Sequence, residues 1–139
     1  MRVHKATRSV WCDVDDTLVI WDWQSVSPDG QGCIDIVDPN NKISCRVFVH
    51  ERHIELLKQF KVRGHHVWVW SQGGSEWAEA VCKALCLEDI VDDVVDKPNW
   101  YIDDLHASAW MKSPIFLDPK DPTKDSRWGV PDDIKPKGN

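Results

Sequence analysis

Apolar residues in this chain fall into short runs that stop at polar residues, and these runs alternate with stretches of helical period. Residues 9–12 (Ser-Val-Trp-Cys) are β-prone and end at Asp13, which predicts a short buried strand. Residues 33–38 and 42–49 alternate or run apolar with β-branched members, and Pro39-Asn40-Asn41 between them predicts the turn of a hairpin. Residues 50–63 predict a helix with Ile54, Leu57 and Phe60 on its buried side and Gly64 just past its end. A second buried strand is expected over 66–70 (His-Val-Trp-Val-Trp), ending at Ser71. Gly73 and Gly74 then turn the chain, and Ser75 is placed to cap a helix whose face holds Trp77, Ala80, Val81, Ala84 and Leu85. Shorter strands are expected over 90–95, over 100–102 ending at Asp103-Asp104, and over 115–117.

Strands alternating with helices imply an α/β domain with a parallel sheet and right-handed crossovers. Five of the eight prolines lie from Pro114 onward, so residues 119–139 read as an irregular tail on a single domain spanning 1–118. Length agrees with one domain. A chain of 139 residues can bury roughly 70% of the surface its unfolded form exposes.

Composition narrows the classes of function. The apolar fraction of 42% and charged fraction of 29% suit a globular protein. The net charge of −6 argues against a broad nucleic-acid footprint, which needs a basic face, but leaves room for a strand end in a local basic pocket. No apolar run reaches the ~18 residues of a membrane span, and the N-terminus lacks the apolar segment of a signal peptide, so a cytoplasmic location is the expectation. Five cysteines without a Cys-x-x-Cys read as reduced, apolar side chains. A zinc site from Cys82 and Cys86 with His65 or His66 would match no familiar spacing. Among the nine tryptophans, several inside apolar runs are expected to fill the core, while Trp21 and Trp23 follow an acidic cluster and are candidates to line a substrate entrance.

The chemistry lies where the strands stop. Asp13, Ser71 and Asp103 each end an apolar run, and ligands of open parallel sheets bind at the carboxyl ends of the strands. Asp13 and Asp15 are two residues apart, so in extended chain their side chains point the same way. Such a pair is relieved by a divalent cation, or by one carboxyl keeping its proton while the other stays an ionised nucleophile. An acidic turn capping its own amides is the plain alternative.

Asp13-Val14-Asp15-Asp16-Thr17-Leu18 after an apolar strand resembles the first motif of the haloacid dehalogenase (HAD) phosphohydrolase superfamily, Asp-x-Asp-x-Thr-[Leu/Val]. Ser71 at the end of its strand resembles the second motif, Lys97 in Asp96-Lys97-Pro98 the third, with Lys83 as the fallback, and Tyr101-Ile102-Asp103-Asp104 the fourth. The resemblance spans about residues 9–118. It implies a three-layer Rossmann-like domain with a central parallel sheet and, over 19–49, a small β-hairpin flap in place of a large cap.

It also implies roles. Asp13 would attack phosphorus and bind Mg²⁺. Asp15 would protonate the leaving alcohol, then activate water against the aspartyl-phosphate, and would bind the metal through its carbonyl. Thr17 would support the loop. Ser71, with amides near Gln72 and Gly73, would hold phosphoryl oxygens, and Lys97 would neutralise their charge. Asp103 would be the acidic metal ligand, with Asp104 either a further metal ligand or a group supporting the ligands. Dehalogenases of the superfamily generally lack an acid at the place of Asp15, so phosphate esters are the implied substrates. Arg46, His50 and His53 are candidate substrate contacts or plain exposed residues at a helix start.

The expected activity is therefore a Mg²⁺-dependent phosphomonoesterase acting on a small metabolite or nucleotide, with a polynucleotide 3′-phosphatase as the main rival. A non-catalytic HAD-like interaction module would normally lose Asp13 or Asp15. A receiver domain needs its phosphorylated Asp after a middle strand, where this chain has Ser71. A Toprim-like nuclease needs the acidic motifs in the opposite order.

Overall fold

The computed structural model describes residues 8–111 and 115–125. Six strands and three helices follow in the order β1 (Ser9–Asp13), β2 (Val19–Ile20), α1 (Trp23–Val26), β3 (Cys33–Val37), β4 (Ser44–Val49), α2 (Glu51–Val62), β5 (His66–Ser71), α3 (Ser75–Ala84) and β6 (Asp93–Asp96). They form two sheets. One is parallel, in the order β1-β5-β6; the other is antiparallel, in the order β2-β4-β3. This is an α/β arrangement compatible with a Rossmann-like fold.

The parallel register sets the functional edge. Asp13 pairs with Trp70, and Ser71 pairs with Asp96, so Asp13, Ser71 and the Asp96-Lys97 corner leave the sheet side by side. Both crossovers, β1 to β5 and β5 to β6, step in the same direction, and a right-handed step in a constant direction keeps its helices on one face. Accordingly, Ile54 and Leu57 of α2 share a core with Trp77, Ala78 and Val81 of α3 and with Val67 and Val69 of β5. Burying side chains of this kind contributes about 1.5–3 kcal/mol each.

The opposite face carries Trp11, Trp68 and Trp70, and no helix among the described residues covers it. The rings of Trp11 and Trp68 stack at 4.6 Å and 4°. The described residues thus form two layers at the parallel sheet rather than three. The alternation of β5 explains the split: Val67, Val69 and Ser71 are buried, while His66, Trp68 and Trp70 are half-exposed.

The hairpin forms as expected, with Asp38 and Ile43 closing the turn. It is extended by β2, so the segment after the first motif is a three-stranded sheet. Val19, Ile36 and Val47 from that sheet join the same core as Val67 and Val69. Helix α2 matches its expected span, is capped by Arg63 with Gly64 (φ +86) just beyond, and also buries His53 and Leu56. In α3 the N-cap residue is Gly74, not Ser75; the Ser75 N–H is instead held by Asp96 Oδ1 at 2.6 Å. Its buried face is Trp77, Ala78, Val81 and Cys82, and Ala84 is exposed.

Two expected strands do not form. Residues 100–102 are irregular and exposed, with Ile102 wholly in solvent. Residues 115–117 are also irregular, although Ile115 and Leu117 pack on Leu56 and Phe60. Contacts continue past residue 118. Asp118 accepts the amides of Lys120 and Asp121, and Arg52 pairs with the buried Asp125. The described part of the expected tail, up to Asp125, therefore packs on the domain; the rest lies outside the described residues. No helix among the described residues is long and apolar enough to cross a membrane.

Candidate active site

The loop after β1 is wound tightly around one carbonyl. Thr17, Leu18 and Val19 all direct their N–H groups at Val14 O, at 3.2, 2.9 and 3.3 Å, while Asp16 N–H donates to Val19 O at 2.7 Å. Asp16 takes φ +59, a left-handed conformation that Asp tolerates better than most residues, and its Oδ1 accepts Trp21 N–H at 3.1 Å. Val14 and Leu18 are fully buried and anchor this loop beneath the sheet edge.

Asp13 and Asp15 leave the loop with different partners. Asp13 meets the ammonium of Lys97, with Nζ 3.8 Å from Oδ1. Burial is the largest influence on the Asp13 carboxyl and holds it above its ordinary range; Lys97, the Val14 amide and the Thr17 hydroxyl pull it down, and the Asp15 charge pushes it up. Lys97 is fixed from below, because its own N–H donates to Ser71 O at 2.9 Å. Its ammonium also lies 5.9 Å from the centre of the Trp70 ring. The lysine assigned from sequence order thus reaches the aspartate it was expected to reach.

Asp15 is enclosed by donors. Ser71 Oγ donates to Oδ2 at 2.8 Å, and the indole N–H groups of Trp21 and Trp77 both donate to Oδ1, at 2.8 and 2.9 Å. Ser71 is fully buried, and its Oγ accepts Gly73 N–H at 2.9 Å. Ser71 and the Gly73 amide were expected to face a phosphoryl oxygen; here both are committed to orienting Asp15. Gly73 lets this corner close tightly. A Cβ there would sit 3.2 Å from Trp77 Cδ1 and 3.3 Å from Ser71 Oγ. Gln72 is exposed at the same corner.

Asp103 and Asp104 are not gathered into this cluster. Both are exposed, and the contacts of Asp103 are local, to Leu105 N–H at 3.0 Å and to Asp104, which keep its carboxyl below the ordinary range. A strand over 100–102 would have carried them to the edge, and that strand is absent. Asp13 and the Asp15 carbonyl are suitable oxygen donors for Mg²⁺. Among the described residues, however, no three His, Cys, Asp or Glu side chains converge to hold a metal.

His50 and His53 are buried rather than exposed. Their rings stack at 3.5 Å, and His53 Nδ1 lies 2.6 Å from Thr17 O. Arg52 Nη2, 3.1 Å from His53 Nε2, can donate only to an unprotonated nitrogen, which assigns the proton to Nδ1. A chain of hydrogen bonds therefore runs from Asp125 through Arg52 and His53 to the backbone of the first-motif loop. Burial is the main reason that the His53 imidazole is held down to about 4. Arg46 is exposed and paired with Asp35 at 3.0 Å. A groove lined by Ser25, Phe48, His50, Arg52 and Pro119 lies apart from Asp13 and Asp15.

Burial also pushes the Cys12 and Cys82 thiols up to about 12, as expected of cysteines that act as apolar side chains. Comparison with protein-family models, with curated proteins and with solved structures yields no match. Sequence reasoning missed the two indoles on Asp15, although Trp21 had been singled out for its position.

Proposed function

We propose that this protein is a phosphomonoesterase of the HAD type, with Asp13 as nucleophile and Asp15 as general acid and base. The observation that carries the reading is the juxtaposition of two differently treated carboxylates at the carboxyl edge of a parallel sheet. Asp13 faces a lysine that can neutralise an incoming phosphoryl group, and Asp15 is held by donors beside it.

The chemistry follows from those roles. An Asp13 oxygen attacks phosphorus; the bond from phosphorus to the ester oxygen breaks, and its electron pair passes to that oxygen, which takes a proton from Asp15. Water then attacks phosphorus and gives a proton back to Asp15, releasing inorganic phosphate and the Asp13 carboxylate. Lys97 screens the repulsion between the nucleophile and the phosphoryl oxygens, the main requirement of phosphoryl transfer. Asp13 must be ionised to attack, so its raised pKa places a limit on the acid side of the activity.

Mg²⁺ belongs to the proposal through Asp13 and the Asp15 carbonyl, where it would add charge neutralisation; Asp103 or Asp104 would have to move from their exposed loop to join it. The three-stranded sheet after the first motif would act as a flap. A small metabolite or nucleotide suits the acidic surface better than a polynucleotide end, and phosphorylated substrate is the only partner the reading requires. A panel of nucleotides, sugar phosphates and a 3′-phosphorylated oligonucleotide, assayed with Mg²⁺ and with EDTA, tests it. Turnover of small esters that EDTA abolishes is expected; turnover of the oligonucleotide alone would favour the polynucleotide reading, and turnover of none would defeat the enzymatic one.

A further inference from the structure

The Asp15 carboxylate has about four lone-pair directions, and three are filled. Both directions on Oδ1 are taken by indoles, which come from different parts of the chain. Trp77 is the third residue of α3 and is 3% exposed; Trp21 follows β2 and is 43% exposed. The two rings lie 5.6 Å apart at 33°, so they brace one another as well as the carboxylate. Ser71 takes one direction on Oδ2 and leaves the other open.

We infer that Trp21 and Trp77 are positioning residues that clamp Oδ1 of Asp15 and thereby make Oδ2 the oxygen that exchanges the proton. The kinetic part of this inference rests on the phosphatase reading; the geometric part stands on the hydrogen bonds alone. When the bond from phosphorus to the ester oxygen breaks, that oxygen receives its electron pair and takes the proton from Oδ2, leaving Asp15 as the clamped carboxylate. The clamp holds the transferring oxygen in place without itself touching the ester. Trp77 supplies the fixed arm from the core. Trp21 supplies the arm that ties Asp15 to the three-stranded sheet, so any displacement of that sheet is felt at the acid.

The leaving group reveals such a role. An alkyl phosphate needs its leaving oxygen protonated, whereas p-nitrophenyl phosphate hardly does. Positioning of Asp15 therefore affects kcat/KM, which reports events up to departure of the alcohol, for the first substrate far more than for the second. With full-length Trp77→Phe and Trp21→Phe, kcat/KM for glycerol phosphate should fall roughly 30-fold against roughly 3-fold or less for p-nitrophenyl phosphate, a fraction of the ~10²–10⁴ that general acid catalysis supplies. Equal losses on both substrates in both variants would overturn the inference, because a merely structural defect does not distinguish leaving groups. If Trp77→Phe does not fold, the exposed Trp21 decides the comparison.

The second readout is independent of turnover. The indole N–H resonances of Trp21 and Trp77, assigned by their disappearance in the two Phe variants, should both move in Asp15→Ala. If neither moves, the clamp does not exist. If both move but the wild-type protein hydrolyses no ester, the phosphatase reading and the kinetic role fail together while the hydrogen bonds stand.

Discussion

Acidification from pH 7 to pH 5 should destabilise this protein through His53 more than through any surface histidine. The imidazole is 2% exposed, donates from Nδ1 to Thr17 O, and receives Arg52 at Nε2. A second proton would have to sit on Nε2, against the guanidinium. The folded value of about 4 lies below the ordinary 6.5. The unfolded chain therefore takes up a proton that the folded chain refuses. Stability is fully present above about 6.5 and is lost as pH falls towards 4. At about 1.4 kcal/mol per pKa unit, the loss between pH 7 and pH 5 works out at about 2 kcal/mol. His50, stacked on His53, is also held below its ordinary value by burial and adds in the same direction, while the raised Asp13 acts in the opposite one.

Urea unfolding at pH 7 and pH 5, with His53→Gln beside the wild type, isolates the His53 part. The variant should lose most of the ~2 kcal/mol pH decrement even if it starts less stable at pH 7. An unchanged decrement in His53→Gln would refute the reasoning.

Three further outcomes follow. Ser71→Ala frees Asp15 Oδ2 and leaves the Gly73 amide without its acceptor; a loss of about 1–3 kcal/mol in urea unfolding is expected, together with at least ~10-fold lower kcat on alkyl phosphates. Lys97→Met removes the charge that pulls the Asp13 carboxyl down, so the acid limb of the pH–rate profile should move to higher pH. Arg52→Ala strands the buried Asp125 and should cost about 3 kcal/mol, whereas Arg52→Ala with Asp125→Ala should cost less than Arg52→Ala alone, read by urea unfolding.

The elements that repeated a clear period were legible in the sequence: the first strand, the hairpin, α2, β5 and α3 all form where their apolar spacing put them. The face each would present was less legible. In β5, alternation separates Val67 and Val69 from Trp68 and Trp70, but only the direction of the crossovers decides which set meets the helices. His50 and His53 carried a usable signal, since His53 falls beside Ile54 and one turn before Leu57 on the buried side. Residues 100–102 misled for the opposite reason. Three apolar residues satisfy a strand pattern locally, but a strand also needs a partner, and Pro98-Asn99 and Asp103-Asp104 bracket them closely.

At the candidate site, Asp13, Asp15, Ser71 and Lys97 were legible because strand ends and chain order place them. The commitment of Ser71 to Asp15 was not, because a hydroxyl at a strand end has the same sequence signature whichever acceptor it serves. The indole clamp has no motif at all. It depends on β2 and α3 bringing Trp21 and Trp77 to a residue that is respectively 6 and 62 positions away.

The proposed role of Asp13 is that of the nucleophile that takes up the phosphoryl group, and acid quenching during turnover tests it most directly. Full-length protein mixed with a hydrolysed phosphomonoester and Mg²⁺, quenched in acid and digested, should yield the peptide containing Asp13 carrying one phosphoryl group. Asp13→Asn should yield none and should not turn the ester over. A phosphoryl group on another residue, or undiminished turnover by Asp13→Asn, would contradict the account.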